Sequence, residues 1–225
     1  MNIKQLIAKK TLEKLDSNNI LGLGTGTTVE ALIEVLAEEE YTFQNYVFSS
    51  LRTKSFAMRH GLKGQMLHEA AAIDIYVDGT DEIDSDFVAL KGAGGAMTGE
   101  MLCARMAKSF WILATKQKKV TKLGQTMPLP VEIVSWGQSQ FARYVVSIGG
   151  RPVLRPSKSE LGNAIIDCHG LSMAEPYTLA KKIESFPGVI SHGLFVCYRP
   201  DTVVLGDATG CEFIANNNKL GTQSN

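Results

Sequence analysis

The residues able to do chemistry crowd into one stretch, "YVDGTDEIDSDFVALKGAGGAMTGE", residues 76–100. Asp78 ends an apolar run and so stands at the mouth of a predicted strand, and the turn through Gly79 and Thr80 brings in Asp81. Neighbouring carboxylates raise one another's pKa, a cost relieved by hydrogen bonds or by a cation. Lys91, closing the next predicted strand ahead of "GAGG", is placed to supply that cation, and Glu100 falls in the first turn of the helix that follows. Carboxylates, an ammonium and glycine-lined amides are the parts of a proton-transfer site with an oxyanion clamp. By the same reading Glu82, Asp84 and Asp86 belong to an ordinary solvated acidic loop.

A second candidate is "LGLGTGTTVEAL", which runs strand, glycine turn, helix. Glycines let backbone approach a ligand, and a helix N-terminus offers unpaired amides and a favourable dipole to an anion. Thr25, Gly26, Thr27 and Thr28 add hydroxyls to that cradle. The third glycine of a dinucleotide fingerprint is missing, and the next strand ends in Ser49-Ser50 rather than in an acid. No G-K-[ST] follows, so the turn is not a nucleotide P-loop and reads as a small phosphate cradle. "SSLRTKSF" puts two hydroxyls at a strand's carboxyl end, with Thr53 as the alternative helix cap. The lysines 116, 118, 119 and 122 follow the strand "FWILAT" and read as a solvated face from which one cation can hold an anion.

The elements that must position these residues follow from periodicity. Ile3, Leu6, Ile7, Leu12 and Leu15 recur at helical spacing, so the chain opens with an amphipathic helix. Strands at "NILGLG", "YVFSS", "IDIYVDG", "DFVALKG" and "FWILAT" alternate with helices at "TTVEALIEVLAEEE", "TKSFAMRHG" and "MTGEMLCARMAKS". In the last of these helices Met97, Met101, Leu102 and Met106 share one side. Such alternation predicts a Rossmann-like open α/β sheet with helices on both faces. From "GQTMPLPVEIV" the order becomes strand, helix, strand, strand, helix, strand, which predicts a smaller α+β domain with an antiparallel sheet. "DTVVLGDATG" returns to strand texture. The expected division is therefore 1–125 with 199–218, then 126–198, and a disordered tail at 219–225.

Composition excludes several classes. Lys plus Arg and Asp plus Glu are 23 each, so there is no bulk positive field and no nucleic-acid partner is expected. The N-terminal segment lacks a signal-peptide core, and no apolar run is long enough to span a bilayer, so no membrane partner is expected. Three of the four cysteines lie in apolar segments and read as small core residues, as in a reducing cytoplasm. His60, His68, His169 and His192 have no metal-ligand spacing and read as structural.

Taken in order, "GLGTGTT", the paired serines, "YVDGTDEID", "LKGAGGAMTGE", "KKVTKLG", "PLPVEIV", "GGRP" with "GNAIIDCHG", and "PGVISHGLF" resemble ribose-5-phosphate isomerase of the A type over roughly residues 3–214. The resemblance implies a cytoplasmic enzyme, free of cofactor and metal, acting on a small sugar phosphate in the pentose phosphate pathway. It implies interconversion of ribose 5-phosphate and ribulose 5-phosphate, in a homodimer or higher homo-oligomer. Carried onto this chain it makes Glu100 the proton acceptor, with Asp78, Asp81 and Lys91 also catalytic. Substrate would be held by Thr25–Thr28, by Asp78, Gly79, Thr80 and Asp81, by Lys91, Gly92, Ala93 and Gly94, and by Lys118 and Lys4. The chain departs from the family pattern at Thr27 (commonly Ser), Ala93 (commonly Gly), Gly99 (commonly Arg) and Thr115 (commonly acidic).

Two rival readings share the α/β core. A sugar-phosphate-sensing domain of a transcription regulator needs a DNA-reading unit, for which this chain, opening at its first helix, is expected to have no room. A glucosamine-phosphate isomerase or phosphogluconolactonase relative would use a histidine, and none lies near the acidic turn.

Overall fold

In the computed structural model, which describes residues 2–217, the elements are, in chain order, α1 (Ile3–Leu12), β1 (Ile20–Leu23), α2 (Thr27–Glu38), β2 (Asn45–Phe48), α3 (Leu51–Arg59), β3 (Gln65–Met66) and β4 (Ile73–Asp78). Next come β5 (Glu82–Ile83), β6 (Ala89–Leu90), α4 (Met97–Met106), β7 (Ala107–Thr115), β8 (Leu129–Ile133), α5 (Gln138–Ser147) and β9 (Arg151–Leu154). The chain ends with β10 (Ala164–His169), α6 (Pro176–Glu184), β11 (Val189–His192), β12 (Leu194–Phe195), β13 (Thr202–Asp207) and β14 (Gly210–Ala215). The expected tail at 219–225 lies outside the described residues.

The chain divides into two compact units. The first (Met1–Thr80, Leu102–Lys118, Pro200–Asn225) is a seven-stranded sheet in the order β14-β13-β7-β4-β1-β2-β3, parallel except for β14. Its parallel core lies among helices, and Ile7, Leu21, Leu23, Leu32, Phe48, Val77, Leu113 and Val204 pack into one apolar cluster. Helix starts are specified locally. Asn2 and Gln5 form a reciprocal capping box on α1, with bonds of 2.9 and 3.0 Å. Ser50 caps α3 by accepting the Thr53 amide at 3.1 Å. Thr53, read from sequence as the alternative cap, is thus the capped residue, and its hydroxyl goes to the Gly24 carbonyl at 2.7 Å.

The second unit (Asp81–Met101, Lys119–Arg199) carries a four-stranded antiparallel sheet, β11-β8-β10-β9, and a small sheet, β12-β6-β5. With α5 and α6 inserted, the four strands have the split β-α-β order, and Phe141, Val145, Leu179 and Ile183 from the helices close its apolar core. Residues 81–101 and 119–125, expected with the first domain, group with this unit. The reason is local pairing: β6 pairs with β12, and Ile83 bridges to Lys119. "DFVALKG", expected as a strand of the main sheet, contributes only Ala89–Leu90 to this small one. "GVISHGLF", expected as one strand, is split at Gly193 into β11 and β12, which join different sheets.

Helix α4 also departs from expectation. Met97 is buried, whereas Leu102 and Met106, expected on the same side, are exposed. Its buried stripe is Met97, Glu100, Cys103 and Ala104, a helical repeat that turns Glu100 inward. Cys103 and Cys168 are core residues as expected, whereas Cys197 is exposed and Cys211 only half-buried.

Candidate active site

In the first unit, sheet order builds the cradle. From β1 the chain runs outward to β2 and β3 on one side, and later to β4, β7 and β13 on the other. That reversal is the switch point where open α/β sheets bind ligands at their carboxyl ends. The parallel registers Leu23↔Val77 and Leu23↔Phe48 bring three loops together there, those after β1, β2 and β4. Thr25 consequently has its hydroxyl 2.8 Å from Ser50 Oγ and 3.1 Å from Ser49 Oγ.

Asp78 is fully buried and grips this cradle. Its Oδ1 accepts the amides of Gly79 (2.7 Å) and Thr25 (3.1 Å), and its Oδ2 accepts the Tyr76 hydroxyl (2.6 Å). A Cβ on Gly24 would overlap the Asp78 carboxylate, so the loop passes only because that residue is glycine. Gly26, at φ +128°, starts α2 in a backbone conformation that side chains avoid. Thr27 is exposed with Thr28 half-buried behind it, and the Lys4 ammonium meets Thr27 Oγ1 at 2.5 Å. This brings Lys4 to the cradle. Thr80 is half-buried after Gly79, and Lys118 is half-buried in a short 3₁₀ turn after β7.

In the second unit, Lys91 and Glu100 form an ion pair 3.3 Å apart with side chains only 3% and 4% exposed. Lys91 follows β6, its amide donates to the Gly193 carbonyl at 2.9 Å, and its ammonium lies 5.6 Å from the centre of the Phe195 ring. Between the two charged residues Gly92–Gly95 form a tight turn closed by Gly95 N–H to Gly92 O at 3.1 Å. Gly92 (φ +106°) and Gly95 (φ +75°) need glycine, but Ala93 is not among the residues with positive φ. Alanine therefore replaces glycine there without backbone strain, and its amide donates to Asp81 Oδ2 at 3.0 Å. Asp81 is half-buried, while Ala93 and Gly94 are exposed.

Glu82 corrects the solvated-loop reading: it is fully buried. It accepts the amides of Gly124 (2.6 Å), Thr126 (2.5 Å) and Met127 (3.1 Å) and the Thr126 hydroxyl (2.7 Å). Burial raises its pKa, but these donors outweigh burial and the net shift is downward. Asp84, half-buried, holds the hairpin turn through the amides of Asp86 and Val88.

Sequence reasoning missed the buried polar groups behind the site. Glu132, in the middle of β8, accepts from Thr98 on the first turn of α4 (2.5 Å), from Ser159 (2.6 Å) and from Asn163 (2.9 Å). Arg155 forks onto Asp167 and reaches the carbonyls of Gly92 and Ala93. The available signal was a charge inside an apolar run, "PVEIV" and "IIDCH", because such a charge must find partners. Among the described residues no group of three His, Cys, Asp or Glu side chains is arranged to hold a metal, and no helix is long and apolar enough to cross a membrane.

Comparison with known proteins places the chain in one family. Residues 45–210 match the family model described as ribose 5-phosphate isomerase A (phosphoriboisomerase A). A ribose-5-phosphate isomerase A of Haemophilus influenzae is 34% identical over 215 residues, covering 95% of this chain and 98% of that one. The crystal structure of ribose 5-phosphate isomerase A from Neisseria gonorrhoeae superposes with a TM-score of 0.90 at 32% identity, covering 95% and 96% of the two chains. A D-ribose-5-phosphate isomerase solved in complex with phospho-erythronic acid gives 0.89 at 29% identity, covering 96% and 100%. By sequence along nearly its whole length and by fold, the chain belongs to the ribose 5-phosphate isomerase A family.

Proposed function

We propose that this chain interconverts D-ribose 5-phosphate and D-ribulose 5-phosphate through an enediolate, with Glu100 as the proton shuttle. The observation that carries the reading is the buried Lys91–Glu100 pair, a base and an electrophile 3.3 Å apart, joined by a turn whose Ala93 and Gly94 are exposed. Asp81 takes the O1 hydroxyl proton and returns it to O4 as the C1–O4 bond of the furanose breaks. Glu100 then takes the proton from C2 of the open aldose. Charge that develops on O1 is met by Lys91, a contact of a kind whose loss costs about 3–4 kcal/mol. Glu100 returns its proton to C1, and the O2 hydroxyl proton passes to O1 as the C2 ketone forms.

Asp78, which acts through its grip on the Thr25 and Gly79 amides, keeps the cradle in shape. The turn Thr25–Thr28, with Lys4 and Lys118, holds the phosphate and fixes the reacting carbons. A phosphorylated sugar acid bound by a relative supports a sugar phosphate as ligand here. The reading includes a cytoplasmic protein and a homodimer or higher homo-oligomer.

The test is a coupled assay for ribulose 5-phosphate formed from ribose 5-phosphate, with glucosamine 6-phosphate and phosphogluconolactone as controls. Glu100→Gln keeps shape and removes the base, and kcat is expected to fall by at least about 10²-fold. Near wild-type turnover in that variant would end the assignment.

A further inference from the structure

The turn that presents the exposed amides has an external clamp. Arg155 is mostly buried, and its guanidinium is held edge-on by Asp167, Nη2 to Oδ1 at 2.5 Å and Nε to Oδ2 at 2.9 Å. The pair is preset by the sheet: Asp167 lies in β10, opposite Val153 of β9, and the Arg155 amide continues that ladder by donating to Ile165 O at 2.9 Å. With its Nε–Nη2 edge fixed, the guanidinium has Nη1 left to point at the turn. Nη1 donates to Gly92 O at 2.9 Å and to Ala93 O at 3.0 Å.

Peptide planarity turns this into a statement about the amides. No described peptide bond is cis, so each carbonyl points opposite to the N–H of the next residue. Holding Gly92 O against Arg155 aims the Ala93 N–H the other way, and that amide is the donor to Asp81 Oδ2. Holding Ala93 O likewise aims the Gly94 N–H away from the guanidinium, on the exposed crest of the turn. The Gly92 carbonyl also closes the turn by accepting Gly95 N–H, so both its lone pairs are in use and its direction is fixed.

We propose that Arg155, oriented by Asp167, is a positioning residue: it locks the Gly92–Gly95 turn so that the Ala93 amide steers Asp81 and the Gly94 amide meets the reacting oxygens. The first part stands on the hydrogen bonds alone, and the last rests on the isomerase reading above. Arg155 touches no substrate in this scheme. Lysine is a poor substitute, because it cannot fork onto Asp167 and reach two carbonyls at once.

The experiment compares wild type, Arg155→Gln, Arg155→Lys, Asp167→Asn, Asp81→Asn and the double variant Arg155→Gln/Asp81→Asn. Two readouts are taken: ribose 5-phosphate kinetics, and amide hydrogen exchange with NMR shifts at Ala93 and Gly94. Arg155→Gln is expected to lose about 10²-fold in kcat with a smaller change in KM, as for a reacting group misplaced by about an ångström. Arg155→Lys and Asp167→Asn should fall between it and wild type. Asp81→Asn should cost less in the Arg155→Gln background than alone, because the clamp acts through Asp81. Ala93 and Gly94 amides should shift and exchange faster in Arg155→Gln.

A folded Arg155→Gln with wild-type kcat, or additive losses with unmoved amides, overturns the proposal. If Arg155→Gln does not fold, Arg155→Lys and Asp167→Asn carry the same tests and the same refutation. If wild type does not turn over ribose 5-phosphate, the isomerase reading fails by itself. The clamp is then decided by the amides, supported by faster exchange and overturned by none.

Discussion

Breaking the Lys91–Glu100 pair from each side should separate its part in stability from its part in chemistry. At 3.3 Å, Coulomb's law gives about 5 kcal/mol between unit charges at an effective dielectric of about 20. With side chains 3% and 4% exposed, each ion has also lost several kcal/mol of hydration, so the pair's net worth is small. Removing one member is different, since it leaves the other a buried charge without its ion-pair partner, at a cost of about 3–5 kcal/mol. Lys91→Met should therefore lower the unfolding free energy by about that amount, and Glu100→Gln by somewhat less because an amide can still accept from the ammonium. The double variant Lys91→Met/Glu100→Gln strands no charge and should be more stable than Lys91→Met alone. The coupling in the cycle should reach about 2 kcal/mol. The Phe195 ring beside the ammonium drops out of that figure, because its contact is lost in both proteins lacking the lysine. Urea unfolding of the four proteins at pH 7 measures the cycle, with turnover followed in parallel. The double variant should regain stability and no activity. Effects that add within about 0.5 kcal/mol would refute the view that burial makes these two residues one unit.

Glu82→Gln loses charge-assisted bonds to four donors and should destabilise the protein by about 2–4 kcal/mol. Because the folded carboxyl titrates below its ordinary 4.5, its contribution is present above that pH and drains away as pH falls through the folded value. Urea midpoints between pH 7 and 3 should fall less steeply in Glu82→Gln. Gly24→Ala drives a methyl into the Asp78 carboxylate and should cost about 10²-fold in kcat/KM; unchanged kinetics would mean the carboxylate's grip on Thr25 and Gly79 is dispensable. His192 is buried, with its Nδ1 accepting the Leu194 amide at 3.2 Å, so its Nε2 carries the proton toward Glu184 at 3.1 Å. Burial lowers its pKa despite that partner, so the unfolded chain takes up a proton near pH 6.5 before the folded one does, and stability falls as pH drops below that value. His192→Gln should flatten the stability profile between about pH 7 and 5, which the same denaturation series reads.

Much of the candidate site was legible because it obeys local rules. Glu100 stands in the first turn of a helix after a glycine turn, and Lys91 stands at the strand end before it, so type and spacing placed both. The cradle was legible because a strand, glycines, hydroxyls and a helix follow one another without interruption. Helix α4 misled because Met97 does not share a face with Leu102 and Met106, and the stripe that is buried contains a glutamate, which no hydrophobic count would choose. Long-range pairing was the other gap. Nothing near Glu132 in sequence announces Thr98, Ser159 and Asn163, and nothing near Gly92 announces Arg155.

The density of acid between residues 78 and 86 is explained mainly by backbone. Asp78 holds the amides of Thr25 and Gly79, Glu82 those of Gly124, Thr126 and Met127, and Asp84 those of Asp86 and Val88. Each satisfies amides in loops that no strand could pair, and a carboxylate does this with shorter, stronger bonds than a neutral acceptor. That leaves Asp81 as the acid of the stretch that is half-buried, tied to one amide of a turn whose crest is exposed. Asp78, Glu82 and Asp84 each hold two or more loop amides, whereas Asp81 holds one amide of the turn that Arg155 clamps and, in the proposed reaction, meets the sugar oxygens. In the proposed isomerase reading the chemistry of the stretch falls to Asp81, and the acids around it keep its loops in place.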